Sequence, residues 1–596
     1  MRPAPVLRLI ISSPQSVSVS IIQGTRKRRR NRSLLRTGTC AASSAASSAG
    51  SSAPAGVPSL DELRRRLERM GKAETGEGSE RGRIEGSGAG GVWENVAKAS
   101  TRLFGQGGGG EGEGEAVRVV LYRDDAAWCP FCQRVWLQLE EKRISYRVEK
   151  INLKCYGPKP DWFLQLVPNA MLPAVQLDGR VITESVTIMK EIEAAFPDHL
   201  PLLPPPSDAH ATATAEQLMG LERRLTRAWL LWTKGRDAIR WLGGGSRNSS
   251  SSSKSGDSSR SSNGGDGASS GEESEGRRES SGEESEGRRE FEAAIDAVEE
   301  ALVKSGGPYF LGKEMRLSFS LVDIIHAPLL ERFAASAPYW KGLVVRTNPR
   351  WPALSRWYDA MHSRPAYLPL KSDDFSITHS LVPQIGPVIA SGDPTAVAHR
   401  AYIDGRDGTG AWDLPLREEE TAWGRDDGTG GEGRRAQREV VRALVGNHER
   451  LVTFCLRSLR DPATASTAGG VAAAGNVADA GASDAAAPSS RLTQAHQRLI
   501  QEEHLAPAVS EALRHVAHAL MVGTESAGPF PAASHSLAVL VGESEGDDER
   551  EGKERLAVAL AYLRDRVGVP RDLSYPAARQ LRAHLQWVIR SLDSQL

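Results

Sequence analysis

The sequence is poor in cysteine, with five in 596 residues, at positions 40, 129, 132, 155 and 455. So few thiols, spread so unevenly, cannot build the disulfide framework of a small secreted domain. Long apolar runs are missing too. Nothing approaches the roughly 18 consecutive residues that cross a bilayer, so no membrane partner is expected. Net charge is also lacking, since Lys+Arg and Asp+Glu are both 75. No chain-wide field therefore draws in nucleic acid. Finally, residues 1–60 contain no Asp or Glu at all.

That acid-free segment is rich in Arg and Ser, with a basic run from Arg26 to Arg32. The composition is that of an organelle transit peptide, for a chloroplast or alternatively a mitochondrion. A disordered basic arm with a nuclear signal is the other reading. A secretory signal fits poorly, because the apolar stretch Leu7–Ile11 is cut off by serines and Pro14. Residues 61–115 read as a Gly/Glu-rich linker with one short helix near Asp61–Met70 and a small amphipathic patch at 92–104.

Periodicity then predicts a β-α-β-α-β-β-α unit over 116–200. Its strands lie at Val117–Leu121, Tyr146–Ile151, Leu172–Leu177 and Val181–Ile182, and Asp178-Gly179 is a two-residue hairpin turn. From 209 to 384 the pattern is helical only, with Ser320 as a helix N-cap. Residues 243–290, including a tandem Ser-Ser-Gly-Glu-Glu-Ser-Glu-Gly-Arg-Arg-Glu repeat, are too polar to bury a core and read as a disordered insertion. Residues 385–596 read as a mainly helical extension with a disordered tract at 463–490. The apolar stripes of its helices call for burial against one another.

The chemistry concentrates at Trp128-Cys129-Pro130-Phe131-Cys132. A buried strand leads in and a helical pattern leads out, and Pro130 suits the first helical turn. Cys129 therefore stands at a helix start, where free N–H groups and the dipole favour an anion and lower a thiol pKa. No second ligand pair follows at zinc spacing, so no metal is expected. His515 and His518, at i,i+3, lack an identifiable third ligand and read as packing residues. Cys455 lies on an apolar stripe and reads as core. Cys155 lies in a loop and has no assigned role.

The cysteine helix, the proline-opened strand, Glu184-Ser185 and the following helical region, in this order, resemble the glutathione transferase superfamily. The fold implied is an α/β thioredoxin-like domain followed by the family's all-α carboxy-terminal domain, here with the helical extension added. Trp-Cys-Pro-Phe-Cys and Cys155-Tyr156-Gly157 resemble the cysteine-type branch of omega, lambda and dehydroascorbate reductase classes. With the extension, the likeness is greatest to the iota class.

The resemblance implies a glutathione transferase of thiol-transferase type, with glutathione as co-substrate. It would reduce small disulfides or dehydroascorbate, or act on another electrophilic second substrate. Cys129 would be the nucleophile, with Cys132 as a second catalytic thiol. Phe131 would offer a backbone N–H near the glutathione sulfur. Leu172, through a cis bond to Pro173, would pair with the cysteinyl part. Glu184 and Ser185 would take the γ-glutamyl end, and Lys159 the glycine carboxylate. The resemblance also admits a homodimer. Two alternatives stay open: a dithiol glutaredoxin-like protein reductase, and a non-catalytic glutathione-fold binding module.

Overall fold

The computed structural model describes residues 57–74, 96–104, 117–153, 155, 157–235, 272–312, 319–406, 412–416, 419–421, 424–426, 431–459, 488–531 and 547–593. The basic arm up to residue 56, much of the linker, residues 236–271 with the first part of the insertion, and the tract 460–487 lie outside the described residues.

Helix α1 (Leu60–Glu74) comes first. The mixed unit follows as β1 (Thr101–Arg102), β2 (Val119–Asp124), α2 (Pro130–Lys142), β3 (Tyr146–Ile151), α3 (Asp161–Leu166), β4 (Ala174–Leu177), β5 (Arg180–Thr183) and α4 (Ser185–Ala195). Its five strands run in the order β1-β3-β2-β4-β5. Strand β2 pairs parallel with β3 and antiparallel with β4. The β4–β5 turn places Asp178 at φ 51° and Gly179 at φ 85°, the two left-handed positions that a type I′ hairpin requires. All six residues of β2 are buried. Val119 and Leu121 join the main core with Val135, Trp136 and Ile188, whereas Val120 and Tyr122 join a smaller cluster with Phe163, Val167 and Leu172. Burial on both faces explains why the first four residues of β2, Val119 to Tyr122, are apolar in succession rather than alternating.

Five helices continue the main core: α5 (Ala209–Lys234), α6 (Glu272–Ser305), α7 (Leu321–Lys341), α8 (Pro352–His362) and α9 (Asp374–Ile385). Helix α7 is buried along almost its whole length. At its start Asp323 Oδ2 accepts the Ser320 backbone N–H at 3.0 Å and the Ser320 hydroxyl at 2.9 Å, so the expected N-cap is a full capping box.

A second, separate core is built by α11 (Gly431–Gly446), α12 (His448–Cys455), α13 (Pro488–Val522), α15 (Asp547–Arg564) and α16 (Tyr575–Asp593). Between the cores lies α10 (Pro394–Ile403), and the short α14 (Thr524–Ala527) follows α13. Leu556, Leu560, Leu581, Leu585 and Val588 are fully or nearly fully buried there, each contributing about 1.5–3 kcal/mol by leaving water. Among the described residues no helix is long and apolar enough to cross a membrane.

Three expectations need correction. The stretch 61–115 is more than a linker. Leu63 of α1 is fully buried in the second core, and Arg514 donates to the Val57 and Pro58 carbonyls at 3.2 and 2.7 Å. Further on, Val96 and Ala97 enter the main core, and Arg102 pairs with the buried Glu140 at 3.2 Å. A two-residue strand has no readable period, which is why its sequence gave no sign. The insertion is also shorter than 243–290, because α6 begins at Glu272 and absorbs most of the tandem repeat. Its Glu and Arg residues suit helix-stabilising i,i+4 pairs such as Arg288–Glu292 at 2.8 Å. Gly287 allows close approach, since a Cβ there would come within 2.8 Å of the Trp232 backbone. Lastly, α10 packs against α7, so the helices attached to the first core run on past residue 384.

Candidate active site

The turn between β2 and α2 is shaped by Asp124, a residue that sequence reasoning did not single out. Its Oδ2 accepts the backbone N–H groups of Trp128 at 2.7 Å and Cys129 at 3.1 Å. This carboxylate closes the loop and leaves Cys129 as the N-cap of α2, in extended geometry with Pro130 at the first helical position. An Asp five residues before the cysteine, at the end of a strand, was the available signal.

Cys129 and Cys132 are both buried free thiols. The Cys132 thiol donates to the Cys129 sulfur, which lowers the Cys129 pKa. Burial and the Asp124 charge oppose this, and the backbone N–H groups of Cys132 and Phe131 reinforce it; the net shift is downward. Cys132 moves the other way, held well above the ordinary thiol range by burial and by its bond to Cys129. The two thiols are therefore unequal, with Cys129 the more acidic of the pair and Cys132 the less. Asp124, Cys129 and Cys132 present three donor atoms within 4.8 Å of one another.

The other expected site residues are placed as follows. Leu172 is buried beside both thiols in the smaller cluster, and its bond to Pro173 is cis. Lys159 donates to the Ala170 carbonyl and lies 5.7 Å from the Phe163 ring centroid. Burial lowers its pKa, with the two nearby thiols acting in the opposite sense. Glu184 is exposed at the N-cap of α4, and its φ of 67° is a left-handed value that a non-glycine residue rarely adopts. The adjacent Ser185 is buried. The Phe131 ring is partly exposed under the Arg134 guanidinium, 4.9 Å away.

Several other cysteines and histidines prove to be packing groups. Cys155 donates to Gln384 Oε1 at 3.2 Å, and burial pushes its pKa up to about 11. Cys455 is fully buried in the second core, with its pKa pushed up by burial to about 12. His515 stacks on Trp587 at 5.3 Å and bonds the Gly528 carbonyl at 3.1 Å. Arg224 donates to the Ala293 carbonyl at 3.1 Å, tying α5 to α6. From α7, the buried Arg332 donates to the Trp128 carbonyl. The two residues are 204 apart in sequence, and no local pattern could have joined them.

Comparison with known proteins agrees with this geometry. The glutathione S-transferase N-terminal domain profile matches residues 128–195, and the C-terminal domain profile matches residues 278–360. Over 77 residues the chain is 40% identical to glutathione S-transferase DHAR2 of Arabidopsis thaliana, covering 13% of this chain and 35% of that one. It is 36% identical over 104 residues to glutathione S-transferase omega-1 of Rattus norvegicus, covering 17% of this chain and 41% of that one. A longer alignment, 26% identical over 247 residues, joins it to the chloroplastic glutathione S-transferase L2 of Arabidopsis thaliana and covers 41% of this chain and 64% of that one. The chain thus spans about a third of the length of the relative it matches at 40% identity. Residues 128–195 and 278–360 thus carry the two glutathione S-transferase domain profiles in order, and the part of the chain that holds the thiol turn is similar to glutathione S-transferases of the DHAR and omega types.

Proposed function

We propose that the protein is a glutathione-dependent thiol transferase in which Cys129 is the nucleophile. The observation carrying this reading is the placement of a free Cys129 at the N-cap of α2, ahead of Pro130 and one turn from Cys132, with which it forms an unequal thiol pair. In the forward step the Cys129 thiolate attacks the glutathionyl sulfur of a mixed disulfide. The old S–S bond breaks, a new one forms to Cys129, and the substrate leaves as a thiolate that takes a proton from water. A glutathione thiolate then attacks the Cys129-bound sulfur, releasing oxidised glutathione and restoring Cys129. Dehydroascorbate is a second substrate for the same thiol; its reduction to ascorbate consumes two glutathiones, where the mixed disulfide consumes one, and likewise yields one oxidised glutathione. The relative named DHAR2 supports that choice.

Glutathione carries an ammonium, two carboxylates and a thiol. The proposed partners are Glu184 for the ammonium, the Ser185 helix start and Lys159 for the carboxylates, and Leu172 for the cysteinyl backbone. Cys132, bonded to Cys129, also supports a dithiol route in which it resolves the mixed disulfide. The proposed compartment is the plastid, on the acid-free first 60 residues and the chloroplastic relatives.

Intact-mass measurement after treatment with oxidised glutathione tests the reading. A gain of one glutathionyl group, lost in Cys129→Ser, is expected. Loss of two hydrogens would favour the dithiol reductase. An unchanged mass would overturn both and leave a binding module.

A further inference from the structure

Arg332 is 1% exposed and sits just past the middle of α7, a helix buried along almost its whole length. Its guanidinium donates to the Trp128 carbonyl, to Gln133 Oε1 at 2.9 Å and to the Pro328 carbonyl at 2.6 Å. Gln133, one turn into the cysteine helix, donates in turn to Glu331 Oε2 at 2.9 Å. Tyr367 donates to the same oxygen at 3.0 Å. The other carboxylate oxygen of Glu331 accepts the Ser372 backbone N–H at 2.7 Å. The Ser372 hydroxyl then donates to the Val569 carbonyl at 2.5 Å, in the loop between α15 and α16. The result is an unbroken buried chain of hydrogen bonds from the second core to the peptide bond preceding Cys129.

Full burial makes such a chain consequential. Each unmade bond there costs the desolvation of its polar group, so the members hold one another in a single arrangement. We propose that Arg332 is a positioning residue for the Cys129 thiolate, and that the carboxy-terminal region, through Val569, Ser372 and Glu331, completes the support that fixes it. By holding the Trp128 carbonyl, Arg332 keeps the Phe131 and Cys132 N–H groups aimed at the Cys129 sulfur, and it brings a buried positive charge to the same place. The proposal rests on Cys129 being the reactive thiol, but its test does not depend on glutathione chemistry.

The charged and titratable groups facing Cys129 come from every neighbouring element. They are Asp124 at the end of β2, Cys132 and Arg134 on α2, Lys159 in the loop before α3, and Arg332 on α7. Among these groups, Arg332 is the one whose guanidinium bonds both the thiol turn, at the Trp128 carbonyl, and Gln133, which passes the link to Glu331 and the second core. The full chain is used for the test, with the pH dependence of alkylation by iodoacetamide read at Cys129 by peptide mass spectrometry and the melting temperature followed in parallel. Arg332→Met is expected to raise the midpoint by about one unit or more, the scale of one lost neighbouring charge. Arg332→Lys should recover part of the shift. Ser372→Ala, which lies far from the thiol and keeps its backbone N–H, should move the midpoint the same way by a smaller amount.

If Arg332→Met fails to fold, Arg332→Lys and Ser372→Ala carry the test. An unchanged midpoint in every folded variant, whatever the melting temperature, overturns the proposal. So does a midpoint shift in Arg332→Met with none in Ser372→Ala, as far as the carboxy-terminal region is concerned. Failure of Cys129 to alkylate before other thiols in the unmodified protein would instead overturn the functional reading itself.

Discussion

Arg582 on α16 reaches across from the second core to Asp373, the N-cap of α9 in the first, at 2.5 Å with both side chains almost completely buried. The same guanidinium donates to the Val567 carbonyl at 2.7 Å and lies 4.5 Å from the Phe375 ring centroid. Beside it, the Val569 N–H donates to Ser376 Oγ at 3.0 Å. The two cores are thus joined by a desolvated ion pair in which both terminal nitrogens of Arg582 donate hydrogen bonds, while its Nε is buried without an acceptor. Burial pushes the Asp373 pKa up, but the Arg582 charge and the donated bonds outweigh it and the net shift is downward.

Removing one side of that pair should be costly. Arg582→Met is expected to lower stability by about 3–5 kcal/mol, because Asp373 is left buried without its counter-charge. The double variant Arg582→Met/Asp373→Asn should lose much less than the two single losses added. Denaturant titration of the three variants checks this; additive losses would mean that the residues do not act as a pair.

The same pair fixes a pH dependence. Asp373 has a folded pKa below its unfolded one, so its contribution is fully present above about pH 5 and is lost as pH falls through the folded value, below roughly 3.9. The junction between cores should therefore stay protected from hydrogen exchange from pH 5 to 8 and open only in stronger acid. Opening between pH 5 and 6 would contradict the assignment.

Cys129→Ser should abolish thiol transfer, whereas Cys132→Ser should leave a large part of it, since a serine hydroxyl still donates to the Cys129 sulfur. Cys132→Ala removes that donor, the largest influence lowering the Cys129 pKa, and should raise the alkylation midpoint of Cys129. Equal loss of transfer in both serine variants would make the dithiol route obligatory.

Asp124→Asn tests the carboxylate behind the turn. The amide oxygen can still accept from Trp128 and Cys129, while the negative charge that raises the Cys129 pKa is gone. The alkylation midpoint should fall by about one unit. A rise would mean that the stronger acceptor, through the geometry it enforces, matters more than its charge.

Glu184→Ala should weaken glutathione binding by about 1.5–3 kcal/mol, the range for a hydrogen bond to a charged group. The melting temperature should change little, because the side chain is exposed and alanine keeps the same left-handed backbone cost. Calorimetric titration with glutathione checks this, and unaltered affinity would remove Glu184 from the site.

Local patterns determined much of this protein. The order β-α-β-α-β-β-α, the Asp178-Gly179 turn, the Ser320 cap and Cys129 at a helix start all follow from short-range rules, in which period, turn chemistry and capping act within a few residues. Only the tertiary structure decided the rest. Leu63 serves a core built from residues beyond 430, Arg102 adds an edge to the sheet, and the helical tandem repeat passes so close to Trp232 that Gly287 has no room for a side chain. Above all, the surroundings of Cys129 depend on Arg332 and Glu331, some two hundred residues away. A buried charge reveals itself only through the partners that satisfy it, and those are brought together by packing rather than by proximity along the chain.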